Sequence, residues 1–334
     1  MKTSKYIAIF AASILLSANA HAFFGKRATT IKVSHYFSES NPHHIALTKM
    51  AEEIEEASGG ELEVKIFPNA TLGGEEQAIN GVRNGTIEMA LIGSLMQQNH
   101  PMLGVFEFPF LMKDADSALA VLSGDPGMEV KNKYDEFGVK HLAYSISGFR
   151  HLTSNKPVTS PKDYSGLRVR VPNNSMFIDM ADALGWNVQA LPLPEVYTAL
   201  EQGVVDGQEN PYALIEAQGF YEVQDYIVET GHMFTNLNLI YAGKKWDNLS
   251  QQHQDLIQKA ADNYSKISWQ MTTDAVEVTK EKIRAAGTQI IVPSEEMTQY
   301  NLDSVKKMKQ SYIERNPWAE EFFKRVDAIN LSQG

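Results

Sequence analysis

Hydrophobic and polar residues near the start of the chain follow the period of a strand, then of a helix, then of a second strand. Over 31–34 and again over 62–66, apolar residues stand at every second position, which is typical of half-buried strands. Between them, over 43–58, apolar residues recur at helical spacing and the run ends at Gly59-Gly60. This pattern predicts a parallel, right-handed β-α-β unit.

The same two periods continue through the rest of the chain. They predict helices over 75–84, 116–122, 127–137, 175–184 and 194–202, and strands over 86–92, 141–145, 167–171, 187–190 and 289–292. Apolar residues alternate again over 237–241, which predicts a strand by which the chain returns to its first sheet. Strands and helices that alternate in this way indicate the α/β fold class.

One long helix and a final helical region complete the pattern. Ser250 can cap a helix that continues without Pro or Gly to Ala286, a length of ~54 Å. That length exceeds a single small domain. Ser294 can open the final helical region, in which an apolar stripe over 318–326 has the spacing of a core-facing helix surface.

The length of the chain favours two domains. Single hydrophobic cores stop growing at about 250–300 residues, and 312 residues remain after 1–22. We expect domain I to comprise 31–147 plus 236–275, and domain II to comprise 148–235 plus 276–325. Two α/β domains joined by several crossings form a clamshell, and the cleft between them is the first place to expect a ligand.

Residues 1–22 have the features of a secretory signal peptide. Lys2 and Lys5 give a positive start, an apolar run follows over 6–16, and Ala20-His21-Ala22 supplies the small residues that signal peptidase reads. The apolar run is too short for a membrane span. We therefore expect cleavage after Ala22, the alternative being an uncleaved anchor.

Composition excludes several classes of function. The chain has no cysteine, which rules out disulfides, thiolate metal sites and cysteine catalysis. Its net charge is −11, or −13 without Lys2 and Lys5, and this acidic balance argues against nucleic acid. No His-Glu-x-x-His, Gly-x-Ser-x-Gly or Gly-x-Gly-x-x-Gly motif occurs, so we predict no metal, no cofactor and no catalytic residues.

Two arginines and an asparagine suit a carboxylate ligand. Arg150 follows a predicted strand, Arg170 ends another, and Asn210 lies between Gly207 and Pro211. A guanidinium presents planar donors that match a carboxylate two bonds at a time, and an amide both donates and accepts. Salt screens the charges of acidic residues that lie far from a ligand, so the arginines in contact with the ligand decide whether an anion binds.

The residues alone leave alternatives open at each of these positions. Arg168 shares the strand face of Arg170 by period two, so either arginine could face a ligand. Arg150 could instead form an interdomain salt bridge, and Asn210 could be a turn residue. No acid, base or nucleophile accompanies them, which favours binding over conversion.

Several segments, in this order over nearly the whole chain, resemble the solute-binding proteins of tripartite ATP-independent periplasmic (TRAP) transporters, of the dicarboxylate-binding type. They are Leu72-Gly73-Gly74-Glu75, Phe106-Glu107-Phe108-Pro109-Phe110-Leu111, the Arg170 strand, the stretch over 195–207, and Phe220-Tyr221-Glu222-Val223-Gln224. The resemblance implies a periplasmic receptor that delivers an organic acid to a TRAP membrane permease. It also implies that the long helix spans both domains. We expect a monomer.

The resemblance also implies roles for the candidate residues. Arg170 matches the arginine that clamps the ligand carboxylate, Arg150 a second carboxylate contact, and Asn210 a further ligand contact. Leu193 departs from the sialic-acid receptors of this superfamily, which carry an aromatic residue there. A sialic acid is therefore not the expected ligand.

Four weaker candidates complete the predicted site. A clamshell needs contacts from its first domain, and His35, Ser94 and Glu75 stand there at predicted strand ends or at a helix start. Each could equally be a capping or surface residue. Asn174, four residues after Arg170, could donate to a ligand hydroxyl or cap the helix that follows.

The identity of the ligand stays open between two classes of acid. A C4-dicarboxylate and a sugar acid such as a hexuronate both present a carboxylate and several oxygens. The alternative functions are a receptor for another type of importer or for a sensor, and an enzyme that acts on an organic acid. The long helix argues against the first alternative, and the missing acid–base pair against the second.

Overall fold

The computed structural model describes residues 28–93 and 95–333. The predicted signal peptide and Ser94 lie outside the described residues. The strands are β1 (Thr29–Ser34), β2 (Leu62–Phe67), β3 (Met89–Ile92), β4 (Val139–Ser154), β5 (Arg168–Val171), β6 (Asn187–Ala190), β7 (Gly207–Pro211), β8 (Tyr226–Ala242) and β9 (Gln289–Ile291).

The longer helices alternate with these strands. They are α1 (Pro42–Ala57), α2 (Glu75–Asn84), α3 (Ala115–Ser123), α4 (Asp125–Lys133), α5 (Ser175–Leu184), α6 (Val196–Glu201), α7 (Tyr212–Ala217), α8 (Gly243–Asp247), α9 (Gln251–Ala285), α10 (Glu295–Arg315) and α11 (Trp318–Ser332). The predicted α/β fold class is confirmed.

One mixed sheet holds the strands in the order β2-β1-β3-β8-β4-β7-β5-β6, and β9 pairs with β8. β1 pairs with β2 in parallel, which confirms the predicted β-α-β unit. β8 is antiparallel to β3, with Leu239 opposite Leu91, so the chain returns to its first sheet as predicted.

Two strands are much longer than the sequence predicted. β4 and β8 have 16 and 17 residues and pair with each other, whereas β4 was predicted to end at Ser145. The prediction was wrong because the ladder continues past an irregularity between Ile146 and Gly148, where Gly148 has a φ of 105°. Glycine takes this conformation without steric cost, so the strand can twist there and continue.

Other differences concern the ends of elements. β3 starts at Met89 rather than Thr86, because the Thr86 backbone N–H turns back onto Gly81 O at 2.9 Å. The helix predicted over 127–137 is α4 followed by a 3₁₀ turn at Tyr134–Phe137. The helix predicted over 194–202 is α6, preceded by a short 3₁₀ turn at Leu193–Glu195.

α9 contacts helices that come from both parts of the fold. It has 35 residues, and Ser250 Oγ accepts a hydrogen bond from His253 N at 3.2 Å as its N-cap. In its first half, Asn263 Nδ2 donates to Glu53 of α1 at 2.9 Å, and near its end Thr279 Oγ1 donates to Glu216 of α7 at 3.2 Å. The helix therefore spans both parts of the fold, and the exact bounds of the two domains stay a prediction.

The hydrophobic core includes the final helix. Phe322 and Val326 of α11 are fully buried, and Trp318 packs edge-on against Phe322 with 5.9 Å between ring centroids. This confirms the interpretation of the 318–326 stripe as core. No helix among the described residues combines the length and the apolar character needed to cross a membrane.

The Ser250 cap predicts a measurable contribution to stability. Ser250→Ala removes the acceptor for His253 N, so the free energy of unfolding should fall by about 1 kcal/mol in urea titrations. Ser250→Asp keeps an acceptor and adds a favourable charge at the helix start, so it should match the unaltered protein. Equal loss in both variants would contradict this role of the cap.

Candidate functional site

Arg170 is a buried cation that has no counterion among the described residues. It stands near the end of β5 and is only 3% exposed. Nε and Nη2 both donate to Leu191 O, at 2.8 and 2.6 Å. Among the described residues, no carboxylate lies within 4.0 Å of the guanidinium, and Nη1 makes no hydrogen bond. Burial lowers the pKa of Arg170 to about 10, which leaves it charged at neutral pH.

Arg168 has a different environment. Its side chain is 40% exposed and forms a two-pronged pair with Asp206, with both N···O distances at 3.0 Å. Arg168 holds the pKa of Asp206 well below its usual range through these bonds. The alternation of side chains along the strand left both arginines as candidates for ligand binding. The structure shows that Asp206 neutralises Arg168 near the surface, whereas no carboxylate of the described residues neutralises Arg170.

Arg150 lies on β4 and is paired within the protein. Nε and Nη2 bind the two carboxylate oxygens of Glu209, at 2.5 and 2.8 Å. Nη2 also donates to Asn210 Oδ1 at 2.7 Å, and Nη1 donates to Thr235 Oγ1 at 3.2 Å. Burial opposes the charged form, but Glu209 outweighs it and raises the pKa of Arg150.

Glu209 is the buried anion of this site, and sequence reasoning missed it. It is fully buried and is bound by Arg150 and by His232 Nε2, the latter at 3.1 Å. Burial raises the pKa of Glu209, but Arg150 and His232 outweigh that effect and hold it below its usual range. A glutamate directly before the candidate Asn210, in a stretch with strand character, was the available signal.

The sheet brings the three main candidates together. Asn210 lies on β7, opposite His151 of β4, and β7 also pairs with β5, where Arg170 faces Gln208. Asn210 is 2% exposed, and its Nδ2 donates to Gln208 Oε1 at 2.5 Å. Three adjacent strands thus supply Arg150, Asn210 and Arg170.

Asn174 takes the capping role that its sequence position allowed. Its Oδ1 accepts from Met176 N at 3.0 Å at the start of α5, and the residue is 3% exposed. The helix begins just after the strand that carries Arg170. Its free backbone N–H groups favour negative charge in that place. A bond from Asn174 to a ligand hydroxyl stays a prediction.

Glu75 and His35 come from the first part of the chain. Glu75 opens α2, is half-buried, and its Oε1 accepts from Leu95 N at 3.0 Å. His35 is 2% exposed, and its Nδ1 accepts from Phe37 N at 3.2 Å. Its Nε2 lies 3.1 Å from His44 Nδ1. Burial lowers the pKa of His35 to about 4, so the ring is neutral at pH 7.

Two further groups, Glu107 and Tyr36, interact electrostatically with both Glu75 and Arg150. Glu107 is 2% exposed, and its charge raises the pKa of both Glu75 and Arg150. Burial raises the pKa of Tyr36, and Glu75 and Glu107 raise it further while Arg150 opposes them. A glutamate within the apolar run 105–111 was the sequence signal for Glu107.

The arrangement is suited to holding a small anion. A groove of about 520 Å³ lies elsewhere, between Ser160 and Tyr300, and contains none of these residues. In residues 28–93 and 95–333, no three His, Asp or Glu side chains are grouped so that they could hold a metal ion.

The buried Arg150–Glu209 pair predicts a large effect on stability. Glu209→Gln keeps the shape of the side chain but removes the carboxylate charge that binds buried Arg150, so the free energy of unfolding should fall by about 3–5 kcal/mol. Urea unfolding measures the change. Glu320→Gln, which breaks an exposed pair with Lys324, should have no measurable effect. Similar small changes in both variants would show that the buried pair is not needed for folding.

Comparison with known proteins agrees with this geometry. The chain matches the family described as "Bacterial extracellular solute-binding protein, family 7" over residues 33–316. It is 39% identical to a TRAP periplasmic solute-binding protein from Haemophilus influenzae, solved with bound L-gulonate, with a TM-score of 0.88 over 90% of this chain and 99% of the other.

Two other relatives carry different small anions in their names. A TRAP solute-binding protein from Desulfovibrio desulfuricans, with bound sn-glycerol-3-phosphate, is 31% identical, with a TM-score of 0.87 over 90% of this chain and 97% of that one. The 2,3-diketo-L-gulonate-binding periplasmic protein YiaO of Escherichia coli is 29% identical over 90% of this chain and 92% of its own length. These matches confirm the resemblance drawn from the motifs: the chain belongs to the family 7 extracellular solute-binding proteins, the DctP family of TRAP receptors.

Proposed function

We propose that this protein is a periplasmic receptor that captures a sugar acid through Arg170 and delivers it to a TRAP membrane permease. The observation that supports this most directly is the buried Arg170 guanidinium, which has no counterion among the described residues. A ligand carboxylate would supply the missing charge and accept two parallel hydrogen bonds.

Arg150 and Asn210 have supporting parts in this proposal. Arg150 is already neutralised by Glu209, and with Nη1 bound once, to Thr235, one further N–H remains for a ligand oxygen. Its bond to Asn210 Oδ1 fixes the orientation of that amide. The second carboxylate contact that the resemblance implied is therefore a single hydrogen bond beside the main clamp at Arg170.

A sugar acid fits the comparisons better than a C4-dicarboxylate. L-gulonate, 2,3-diketo-L-gulonate and sn-glycerol-3-phosphate, named for three relatives, each have one anionic end and several neutral oxygens. One unpaired arginine next to amides and carboxylates matches that distribution of charge. We place the ligand between the predicted domains I and II, with Asn174, His35, Glu75 and Ser94 as further candidates for contact.

The remaining expectations belong to the same proposal. A receptor of this kind is exported by its signal peptide, works as a monomer, releases its ligand unchanged and binds no nucleic acid. A receptor that serves another importer or a sensor is the alternative. Uptake of the acid by cells distinguishes these two functions. If the protein serves a TRAP permease, cells that carry both proteins should take up the acid, and cells that lack either one should not.

The proposal predicts that Arg170 needs its planar fork as well as its charge. Arg170→Lys keeps a cation but loses one of the two parallel bonds, so the dissociation constant for L-gulonate should rise at least about tenfold, or ~1.4 kcal/mol. Titration calorimetry measures it, on protein unfolded and refolded to remove any copurified ligand.

Arg168→Lys is the matched control on the same strand. Arg168 already binds Asp206, so this change should leave the affinity nearly unaltered. Equal losses in the two variants would show that the wrong face of β5 is assigned. If neither L-gulonate nor any other acid of a broad panel binds the refolded protein, the proposed function is wrong.

Ligand closure is a further prediction. A ligand held by Arg170 shifts a conformational equilibrium only if first-domain groups also touch it in the closed form. The chain has no cysteine, so cysteines introduced at exposed Lys49 and Asp182, one in each predicted domain, can be spin-labelled selectively. Saturating L-gulonate should shorten the distance between these labels.

A label pair within one domain controls for local effects. Positions Lys49 and Glu76 are both exposed and both lie in predicted domain I, so their distance should stay constant. If the distance distribution of the Lys49–Asp182 pair is the same with and without L-gulonate, the two domains do not close on the ligand and the pocket is rigid.

A further inference from the structure

A chain of hydrogen-bonded side chains leads from Arg150 into the interior of the fold. Arg150 Nη2 donates to Asn210 Oδ1 at 2.7 Å, and Asn210 Nδ2 donates to Gln208 Oε1 at 2.5 Å. Gln208 Nε2 then donates to Thr153 Oγ1 at 3.1 Å, and Thr153 Oγ1 donates to Gln224 Oε1 at 2.6 Å. All five residues are at most 5% exposed, so bulk water is not available as an alternative partner.

Two neighbouring strands hold this chain in place. Thr153 of β4 lies opposite Gln208 of β7 in the antiparallel ladder. Gln208 and Asn210 are two residues apart on β7 and therefore share one face of that strand. A Cβ added to Gly207 would lie 2.1 Å from Thr153 O, so β4 and β7 can approach this closely only because a glycine stands there.

The direction of every bond in the chain follows from Arg150. A guanidinium can only donate, so the Asn210 carbonyl must face it and the Asn210 nitrogen must face Gln208. The nitrogen of Gln208 consequently faces the Thr153 hydroxyl, whose single hydrogen goes to Gln224 Oε1 at 2.6 Å rather than to Gln208 O at 3.4 Å. Gln224 Nε2 ends the chain on a backbone carbonyl at 3.0 Å. Turning the Asn210 or Gln208 amide round would place two donors or two acceptors against each other.

We propose that Gln208 and Thr153 are positioning residues that fix the Asn210 amide for ligand binding. This inference rests on the proposed function, in which Asn210 contacts the acid. With its oxygen on Arg150 and one N–H on Gln208, Asn210 keeps one further N–H that can donate to a ligand oxygen. An amide that is already oriented loses less conformational entropy on binding than one that must first be ordered. Gln208 and Thr153 therefore contribute to affinity through Asn210.

Thr153→Val tests the proposal because it removes the hydroxyl and nearly keeps the shape of the side chain. The Gln208 amide then loses its acceptor and is free to rotate away from Asn210, so the dissociation constant for L-gulonate should rise about fivefold. Thr153→Ser keeps the hydroxyl and should bind L-gulonate as the unaltered protein does. Gln208→Met removes the acceptor of Asn210 Nδ2 directly and should raise the constant by at least as much. Titration calorimetry on folded, ligand-free protein measures each constant.

A combination with Asn210→Ala separates positioning from a general effect on stability. If Thr153 acts through Asn210, Thr153→Val should cause no further loss of affinity once Asn210→Ala is present, whereas independent effects would add. Thr288→Val is the matched control for the loss of a buried threonine hydroxyl. Thr288 Oγ1 donates to the backbone carbonyls of Tyr221 and Gln224, at 3.0 and 3.2 Å. This change should therefore lower the urea midpoint of unfolding and leave the dissociation constant unchanged.

The outcomes distinguish the positioning role from the function on which it rests. If L-gulonate binds the unaltered protein and binds folded Thr153→Val and Gln208→Met just as tightly, the positioning role is wrong. Full additivity with Asn210→Ala, or an equal loss of affinity in Thr153→Ser or Thr288→Val, would also overturn it. Should Thr153→Val fail to fold, Gln208→Met, alone and combined with Asn210→Ala, decides in the same way. If neither L-gulonate nor any other acid of a broad panel binds the unaltered protein, the proposed function is wrong and the positioning role fails with it.

Discussion

The structure depends on one buried cation, Arg170, that no carboxylate of the described residues neutralises. Arg150 and Glu209 neutralise each other, whereas the Arg170 guanidinium donates only to the Leu191 carbonyl within the part of the chain that the structure describes. An unpaired buried ion costs several kcal/mol even after the protein relaxes. The fold keeps this cost in the free state, and an anion that reaches Arg170 offsets it. If Arg170 binds the ligand as proposed, part of the affinity comes from a charge that the described residues do not satisfy.

The sheet explains why the charged side chains keep fixed positions relative to one another. β4, β7 and β5 are adjacent, and their hydrogen-bond registers fix Arg150, Asn210 and Arg170 relative to one another. β4 and β8 continue through both parts of the fold, with a glycine at the irregularity near Gly148. The paired strands hold the arginines in place, and the connecting strands can twist near Gly148. This arrangement is compatible with the predicted closure of the two domains around a site that keeps its shape.

Sequence reasoning gave the elements more completely than the site. Period two and helical spacing located most elements because each has one buried face, whereas β4 is buried almost throughout and shows no clear period. Arg150, Arg170 and Asn210 were found from residue type and from motifs. Glu209 and Glu107 were missed because a sequence does not show which acidic residues are buried. The alternation along the strand did not separate Arg168 from Arg170, the family resemblance favoured Arg170, and the contacts of the two side chains show how their environments differ.

The acidic balance of the whole chain and its anionic ligand are compatible because the charges act at different distances. Exposed carboxylates are screened by salt beyond about 8–10 Å, whereas groups within a desolvated site are not. Glu209 is the exception, since it is fully buried and binds Arg150 directly, with 2.8 Å between its Oε1 and Nη2 of Arg150. The same type of residue therefore keeps the protein soluble at its surface and neutralises one of two buried arginines in its interior. The charge that matters for an anion is the local one that remains after such pairing, and not the net charge of the chain.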